Sequence, residues 1–255
     1  AARVVVSRRE AAGAADDVLY VFMHLEKTGG TTINAHLAEH LGFDDRFVHL
    51  GPWGNQTRTE AGEPQPDEWP PERLARLRVV SGHRVHATVH RLAGGRPARY
   101  FTFLRRPADL AVSRYNHDAG RLADPPEFWD WYADRGPNQQ FRWLCHRLGV
   151  ARFDEIVERL EDFWFVGITE ELDRDLPRVF EAIGVPTAWK NRRVTDAGND
   201  LAGAYPPIPD APIVRHQEMT DEIAGRVPEL DRLDRKLHRW AHRRADRLRR
   251  KYGWT

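Results

Sequence analysis

The chain reads Val18-Leu-Tyr-Val-Phe-Met-His-Leu-Glu-Lys-Thr-Gly-Gly-Thr-Thr-Ile33 near its start. The residues from Val18 to Met23 are mostly apolar and β-prone, as in a strand that is buried on both faces. Beyond a short Lys/Thr/Gly turn, apolar residues recur at helical spacing up to Leu41, and Thr31 or Thr32 is suited to cap that helix. The stretch therefore predicts a strand, a tight turn and the start of a helix.

The turn between this strand and this helix has the properties of an anion-binding site. The first N–H groups of a helix lack intrahelical partners, and the helix dipole favours negative charge there. Two glycines without a Cβ would let the backbone approach a ligand closely, a lysine adds positive charge, and threonines add hydroxyl donors. An ordinary βα turn is the alternative, but an unbroken Lys/Gly/Thr run favours the anion site. Its candidate residues are Lys27, Thr28, Gly29, Gly30, Thr31 and Thr32.

The order of these residues differs from a Walker A loop, in which four residues separate two glycines and lysine follows the second. Here Lys27 precedes the glycine pair. The order His24-Leu-Glu-Lys-Thr-Gly-Gly-Thr-Thr32 resembles the phosphosulfate loop of sulfotransferases that use 3′-phosphoadenosine 5′-phosphosulfate (PAPS). It is closest to the heparan sulfate 2-O- and 6-O-sulfotransferase branch and its bacterial relatives. The resemblance implies that the loop holds the 5′-phosphosulfate.

A second stretch, Tyr100-Phe-Thr-Phe-Leu-Arg-Arg-Pro-Ala-Asp-Leu-Ala-Val-Ser-Arg-Tyr115, again reads as a strand that runs into a helix. It resembles the 3′-phosphate motif of the same family, and the resemblance implies that Arg105 and Ser113 hold the 3′-phosphate. A guanidinium fork and a hydroxyl suit a phosphate chemically. Arg106 stands where the family usually has Asp, and it is placed to form a local salt bridge or to add to the positive field.

A third stretch, Ser81-Gly-His-Arg-Val-His86, lies between the two anion-binding stretches in sequence. The related glycan sulfotransferases carry a histidine in this interval that acts as general base, which implies this role for His83. An imidazole with a pKa near 6.5 is suited to take a proton from an attacking hydroxyl. His86 is the second choice, and Glu26 beside Lys27 is a rival base.

Weaker matches extend the resemblance along the chain. The segment Lys190-Asn-Arg-Arg-Val-Thr-Asp196 falls where the family places a loop that covers the nucleotide, so Arg193 is a further candidate cofactor-binding residue. The segment Leu233-Asp-Arg-Lys-Leu-His238 resembles a terminal Asp-x-x-Leu-Tyr helix of the family, with His238 in place of tyrosine.

Alternating strands and helices predict the fold class α/β, with a P-loop-like three-layer fold and a mainly parallel central sheet flanked by helices. Residues 1–17 read as a polar N-terminal arm, and residues 18–255 as a single domain. Loops rich in Gly and Pro are expected at 51–71 and 198–212. Further strands are expected at 78–83, 98–104 and 163–168, and helices at 71–77, 127–133, 138–148, 153–160, 170–183 and from 230 onward.

Composition narrows the class of protein. The chain has 255 residues, a formal net charge of +1 and 41% hydrophobic residues, which gives no signature of nucleic-acid binding or of a membrane span. Cys145 is the only cysteine, so no internal disulfide and no cysteine-based metal cluster is expected. Residues 1–17 lack the apolar core of a signal peptide, and a cytoplasmic protein is expected. Arginine greatly outnumbers lysine, which indicates a GC-rich bacterial source.

These features predict an enzyme, a PAPS-dependent sulfotransferase that moves a sulfuryl group to a hydroxyl of a sugar, glycoconjugate or natural product by in-line attack. PAPS is the expected co-substrate, and no metal is expected. Two alternatives stay open: a P-loop nucleotide kinase, and a non-catalytic module that binds nucleotide or glycan. The sequence does not identify the acceptor or the oligomeric state.

Overall fold

The computed structural model describes residues 18–42, 45–50, 69–120, 122–190 and 214–254. The predicted arm at 1–17, most of the predicted loop at 51–71, the predicted loop at 198–212 and the candidate residue Arg193 lie outside the described residues. The strands are β1 (Leu19–Met23), β2 (Phe47–His49), β3 (Val79–Gly82), β4 (Ala98–Leu104) and β5 (Phe165–Ile168). The helices are α1 (Gly30–Leu41), α2 (Pro71–Arg76), α3 (Pro107–Asp118), α4 (Phe128–Arg135), α5 (Gln139–Leu148), α6 (Phe153–Glu161), α7 (Leu172–Ile183), α8 (Asp221–Leu230) and α9 (Arg232–Tyr252), with short 3₁₀ turns at Val89–Ala93 and Thr169–Glu171.

The strands form one sheet in the order β2-β3-β1-β4-β5, and each pair of neighbours is parallel. Parallel strands need crossover connections, and helices supply them here. Strand β1 is central and fully buried, as its apolar sequence predicted. The predicted fold class, an α/β fold of P-loop type with a parallel sheet between helices, is confirmed.

Side chains of β1 alternate between two cores on opposite faces of the sheet. Leu19, Val21 and Met23 pack with residues of α5, α6 and α9. Tyr20 and Phe22 pack with residues of α1 and α7. A third cluster joins α3, α4 and α8 beside the sheet. The first two cores make the three layers: helices, sheet and helices.

The order of the strands fixes where a ligand is expected. The connection that leaves β1 passes through α1 on one face, whereas the connection that leaves β4 includes α5 and α6 on the other face. Strands β1 and β4 are neighbours in the sheet. In open α/β sheets, ligands bind outside the carboxyl ends of two such strands, because their loops diverge there and leave a crevice. The loops after β1 and β4 flank this position.

The structure corrects three details of the sequence prediction. Helix α1 begins at Gly30, and Gly29 occupies the N-cap with a left-handed φ of 85°, so the predicted cap by Thr31 or Thr32 is wrong. Both threonines already belong to the first turn of the helix. Strand β2 and helix α8 were not predicted, because β2 has only three residues and α8 contains a glycine and a proline. The other predicted elements are present, with boundaries shifted by up to two residues.

Candidate active site

The three sequence stretches with functional signals follow three adjacent strands. His83 follows β3, the Lys27 turn (residues 24–30) follows β1, and Arg105 follows β4. Register places Met23 beside Gly82 and Phe22 beside Phe101, so the strands end at one edge of the sheet. Groups 78 residues apart in sequence, the guanidinium of Arg105 and the backbone carbonyl of Lys27, therefore meet at the crevice that the strand order defines.

The Lys27 turn is held by its own backbone and side chains. Lys27 and Gly29 both adopt left-handed φ angles, 63° and 85°. Lys27 is one of two described non-glycine residues with positive φ, a conformation that is costly for a residue with a Cβ. Thr28 is fully buried and its hydroxyl donates to the carbonyl of Leu25 at 2.8 Å. The amide of Ile33 donates to the carbonyl of Gly29 at 3.2 Å and opens the helix.

Gly30 has a different role from the one that the sequence suggested. A Cβ at Gly30 would lie 1.7 Å from Nε2 of His24, so the space that the missing side chain leaves is filled by this imidazole. The glycine therefore admits His24 beneath the turn rather than a ligand above it. His24 is 6% exposed, and burial together with the charges of His83, His49 and Lys27 holds its pKa well below the usual value. A neutral ring supports the turn.

Polar side chains fix the position of His24. The hydroxyl of Ser81 on β3 donates to Oδ1 of Asn34 at 2.6 Å. Nδ2 of Asn34 in turn lies 3.5 Å from Nδ1 of His24. Ser81 and Asn34 are both fully buried. Strand β3, helix α1 and the Lys27 turn are thus joined by one chain of polar contacts.

His83 is oriented by the Lys27 turn. Its Nδ1 lies 3.1 Å from the carbonyl oxygen of His24, and the two imidazole centroids are 4.2 Å apart. A carbonyl only accepts, so Nδ1 carries the proton and Nε2 of the neutral ring is left as the basic nitrogen. Burial lowers the pKa of His83, the Glu26 carboxylate and the His24 carbonyl partly oppose this, and Arg147 and Arg114 add to the lowering. The ring is therefore neutral at pH 7.

The other two candidate bases are placed differently. Glu26 pairs with Arg114 on α3, with 2.6 Å between Oε2 and Nη2. His86 is exposed, and its Nδ1 lies 2.8 Å from the hydroxyl of Thr88. Glu26 lies within the Lys27 turn and is held by an ion pair, whereas the backbone of that turn orients the ring of His83.

Arg105 connects the second motif to the first. Its Nη1 donates to the carbonyl oxygen of Lys27 at 2.8 Å. Ser113 is half-buried on α3, two turns beyond the helix start. Arg106 forms a local pair with Asp109 at 3.4 Å, one of the two roles that the sequence allowed for it.

Three residues that support the Arg105 turn (residues 104–106) were not among the predicted site residues: Gln140, Thr169 and Glu170. Gln140 contacts the backbone of Arg105, and the other two contact its neighbours. No local pattern assigned them to the Arg105 turn, because each lies at least 35 residues from Arg105 in sequence.

The described part of the chain shows no group of three or more His, Cys, Asp or Glu side chains that could hold a metal ion. In the same part, none of the helices is long and apolar enough to cross a membrane.

Comparison with known proteins finds similar solved structures but no matching family model or curated protein. Among solved structures, the chain is similar to a crystal structure of a sulfotransferase from Alicyclobacillus acidocaldarius. The sequence identity is 15% and the TM-score 0.45, over 88% of this chain and 95% of that chain. A likeness at this level does not assign an activity, so the functional interpretation depends on the residues of the site.

Proposed function

We propose that this protein is a PAPS-dependent sulfotransferase that transfers the sulfuryl group to a hydroxyl of an acceptor. The observation that carries the proposal is the hydrogen bond between Nη1 of Arg105 and the carbonyl oxygen of Lys27. It brings together two motifs that resemble the two phosphate-binding motifs of one family. A nucleotide with anionic groups at both the 5′ and the 3′ positions fits such a pair.

We assign binding of the 5′ end of the nucleotide to the Lys27 turn. The backbone N–H groups at the start of α1, the hydroxyls of Thr31 and Thr32 and the Lys27 ammonium hold the phosphosulfate. Lys27 stabilises the negative charge that develops on the bridging oxygen as the S–O bond breaks. The buried Thr28 and the glycines Gly29 and Gly30 shape the turn.

We assign binding of the 3′-phosphate to the Arg105 turn and α3. Arg105 supplies a planar donor fork, and Ser113 supplies a hydroxyl. These contacts distinguish PAPS from ATP, which has no 3′-phosphate. Arg193 stays a further candidate for binding the nucleotide, on the resemblance alone.

His83 acts as the general base. The acceptor oxygen attacks sulfur, the bond between sulfur and the 5′-phosphate oxygen breaks, and the acceptor proton passes to Nε2 of His83. Adenosine 3′,5′-bisphosphate and a sulfated acceptor leave. The lowered pKa keeps His83 unprotonated before attack, as a base requires. Glu26 is the alternative base, and we assign it instead the tuning of the charge around His83. The acceptor is a small molecule or glycan, and a cytoplasmic location stays a prediction from sequence.

Binding to the full chain tests the proposal, with thermal unfolding as the readout. We expect adenosine 3′,5′-bisphosphate without metal to raise the unfolding temperature, and to raise it more than adenosine 5′-monophosphate does. Stabilisation by ATP with Mg²⁺ but not by the bisphosphate would refute the sulfotransferase assignment and favour a kinase. Transfer of label from ³⁵S-PAPS to a panel of sugars and hydroxylated metabolites then tests turnover, and binding without turnover on any acceptor would favour a non-catalytic module.

A further inference from the structure

Both backbone polar groups of Arg105 are bonded to one side chain. The amide of Arg105 donates to Oε1 of Gln140 at 2.8 Å, and Nε2 of Gln140 donates to the carbonyl of Arg105, also at 2.8 Å. Gln140 lies in the first turn of α5 and is 3% exposed. The carboxamide of Gln140 thus uses both its donor and its acceptor on the backbone of Arg105. These two hydrogen bonds fix the peptide planes on either side of Arg105, as a neighbouring strand in a sheet would.

The groups on either side of Arg105 are also bonded to side chains. The carbonyl of Leu104 accepts from the hydroxyl of Thr169 at 3.1 Å. The amide of Arg106 donates to Oε1 of Glu170 at 2.7 Å. Four polar groups of the turn backbone are therefore satisfied by side chains that lie 35 to 65 residues further along the chain.

Helix α9 holds Gln140 in place. Both oxygens of Asp234, in the first turn of α9, accept from the amides of Gln140 and Phe141, at 3.0 and 2.7 Å. Oδ1 of Asn138 accepts from the amides of Leu233 and Asp234, at 2.7 and 3.3 Å. The N-termini of α5 and α9 thus cap each other, which leaves Gln140 little freedom to move.

We propose that Gln140 is the positioning residue for Arg105 and sets the affinity of the site for the 3′-phosphate. The inference rests on the proposed function. The guanidinium of Arg105 reaches the Lys27 carbonyl from a backbone that Gln140 holds at both its amide and its carbonyl, so a shift of that backbone displaces the guanidinium. A turn freed from Gln140 carries a buried N–H and C=O without partners and shifts to recover them. A shift of about 1 Å takes a donor out of hydrogen-bonding distance of a bound phosphate oxygen.

The test compares two ligands on the full chain by isothermal titration calorimetry: adenosine 3′,5′-bisphosphate and adenosine 5′-monophosphate, which lacks only the 3′-phosphate. We expect Gln140→Leu to weaken the bisphosphate about tenfold, the loss of one well-placed charge-assisted contact, and to change the monophosphate less than about twofold. In an Arg105→Ala background, Gln140→Leu should produce no further change in the ratio of the two affinities. A merely structural residue would lower both affinities together and would act equally in both backgrounds.

Leu148→Ala is the matched control, because Leu148 is buried on the same helix and its truncation loosens the core without touching Arg105. It should leave the ratio of affinities unchanged. If Gln140→Leu does not fold, Gln140→Met keeps the length of the side chain, adds no charge and removes both hydrogen bonds to Arg105, and should lower the ratio in the same way. If the Gln140 variant prefers the bisphosphate over the monophosphate as strongly as the wild type does, this inference is overturned and the proposed function is not. A wild-type chain with no such preference would overturn the proposed function and this inference with it.

Discussion

The Lys27 turn and the Arg105 turn end neighbouring strands, yet they are stabilised in different ways. The Lys27 turn is held mainly from within, by left-handed backbone at Lys27 and Gly29, the hydroxyl of Thr28 and the ring of His24. The Arg105 turn is held from outside, by side chains of α5 and of the 3₁₀ turn after β5. One turn is thus encoded locally, and the other depends on packing between distant elements.

This difference separates the two functions that we propose. In the proposed reaction, chemistry takes place at the Lys27 turn, where a rigid and local arrangement keeps donors in place while charge develops. Recognition of the 3′-phosphate is proposed for the Arg105 turn. Substitutions in the first turn should therefore act on turnover, and substitutions in the second on nucleotide binding.

The largest effect is expected for the base that the Lys27 turn orients. His83→Ala should lower the rate of sulfuryl transfer by about 10²–10⁴-fold, the range for loss of a general base. Affinity for adenosine 3′,5′-bisphosphate should change little. Single-turnover transfer from ³⁵S-PAPS measures the first quantity and calorimetry the second. His86→Ala is the control; wild-type rates in His83→Ala, with loss in His86→Ala, would move the role to His86.

Lys27→Ala should be next in size. Removing one electrostatic donor to the transition state costs about 10²–10³-fold in kcat. The preference for the bisphosphate over the monophosphate should survive, because the Arg105 turn is untouched by the change. Lys251→Ala, in the last turn of α9, is the matched lysine control and should keep full activity. A Lys27 variant that lost the 3′-phosphate preference but kept turnover would reverse the division between the turns.

The fold and the two turns were predictable from sequence to different degrees. Strand β1 and its turn carry their own signal, since an apolar run, a lysine and two glycines stand in one stretch. Arg105 was a candidate because of its strand-end position and by resemblance, and Gln140 was not among the predicted site residues, because its contact with Arg105 spans 35 residues. The predicted threonine cap was wrong because Gly29 takes the left-handed cap position. The reason for a glycine at position 30 could not be predicted from sequence either, because it is the packing of the His24 ring against this residue.

Gly30→Ala tests whether the Lys27 turn is supported from below. The added methyl group overlaps His24, and we expect a loss of about 2 kcal/mol in the free energy of unfolding, the usual cost of overpacking. Urea denaturation of the full chain measures it. Gly225→Ala is the control: this helical glycine of α8 has no atom within 4 Å of an added Cβ and should gain up to about 1 kcal/mol. An equal change in the free energy of unfolding for the two variants would show that His24 does not support the turn.

A smaller effect is expected for Arg105→Lys, which keeps the charge and removes the donor fork. Bisphosphate affinity should fall about tenfold, because lysine cannot donate to the Lys27 carbonyl and to a phosphate in the same planar geometry. Affinity for the monophosphate should stay within about twofold of wild type. Arg106→Lys is the neighbouring control, since this exposed side chain pairs with Asp109 and should not affect either ligand. Equal losses for both ligands would place Arg105 at the 5′ end instead.

The smallest effect, a shift in pH dependence, decides between the two candidate bases beside the Lys27 turn. Burial lowers the pKa of His83, so kcat/KM should be flat at neutral pH and fall only below about pH 6.5, as the ring becomes protonated. The negative charge of Glu26 raises that pKa. Glu26→Gln removes the charge, so the acid limb should move to still lower pH while the rate on the plateau is kept. If Glu26 is the base, the same variant should lose the plateau itself at every pH, because a carboxamide cannot accept the proton. A limb that moves to higher pH with an intact plateau would mean that Glu26 does not act on His83 through its charge.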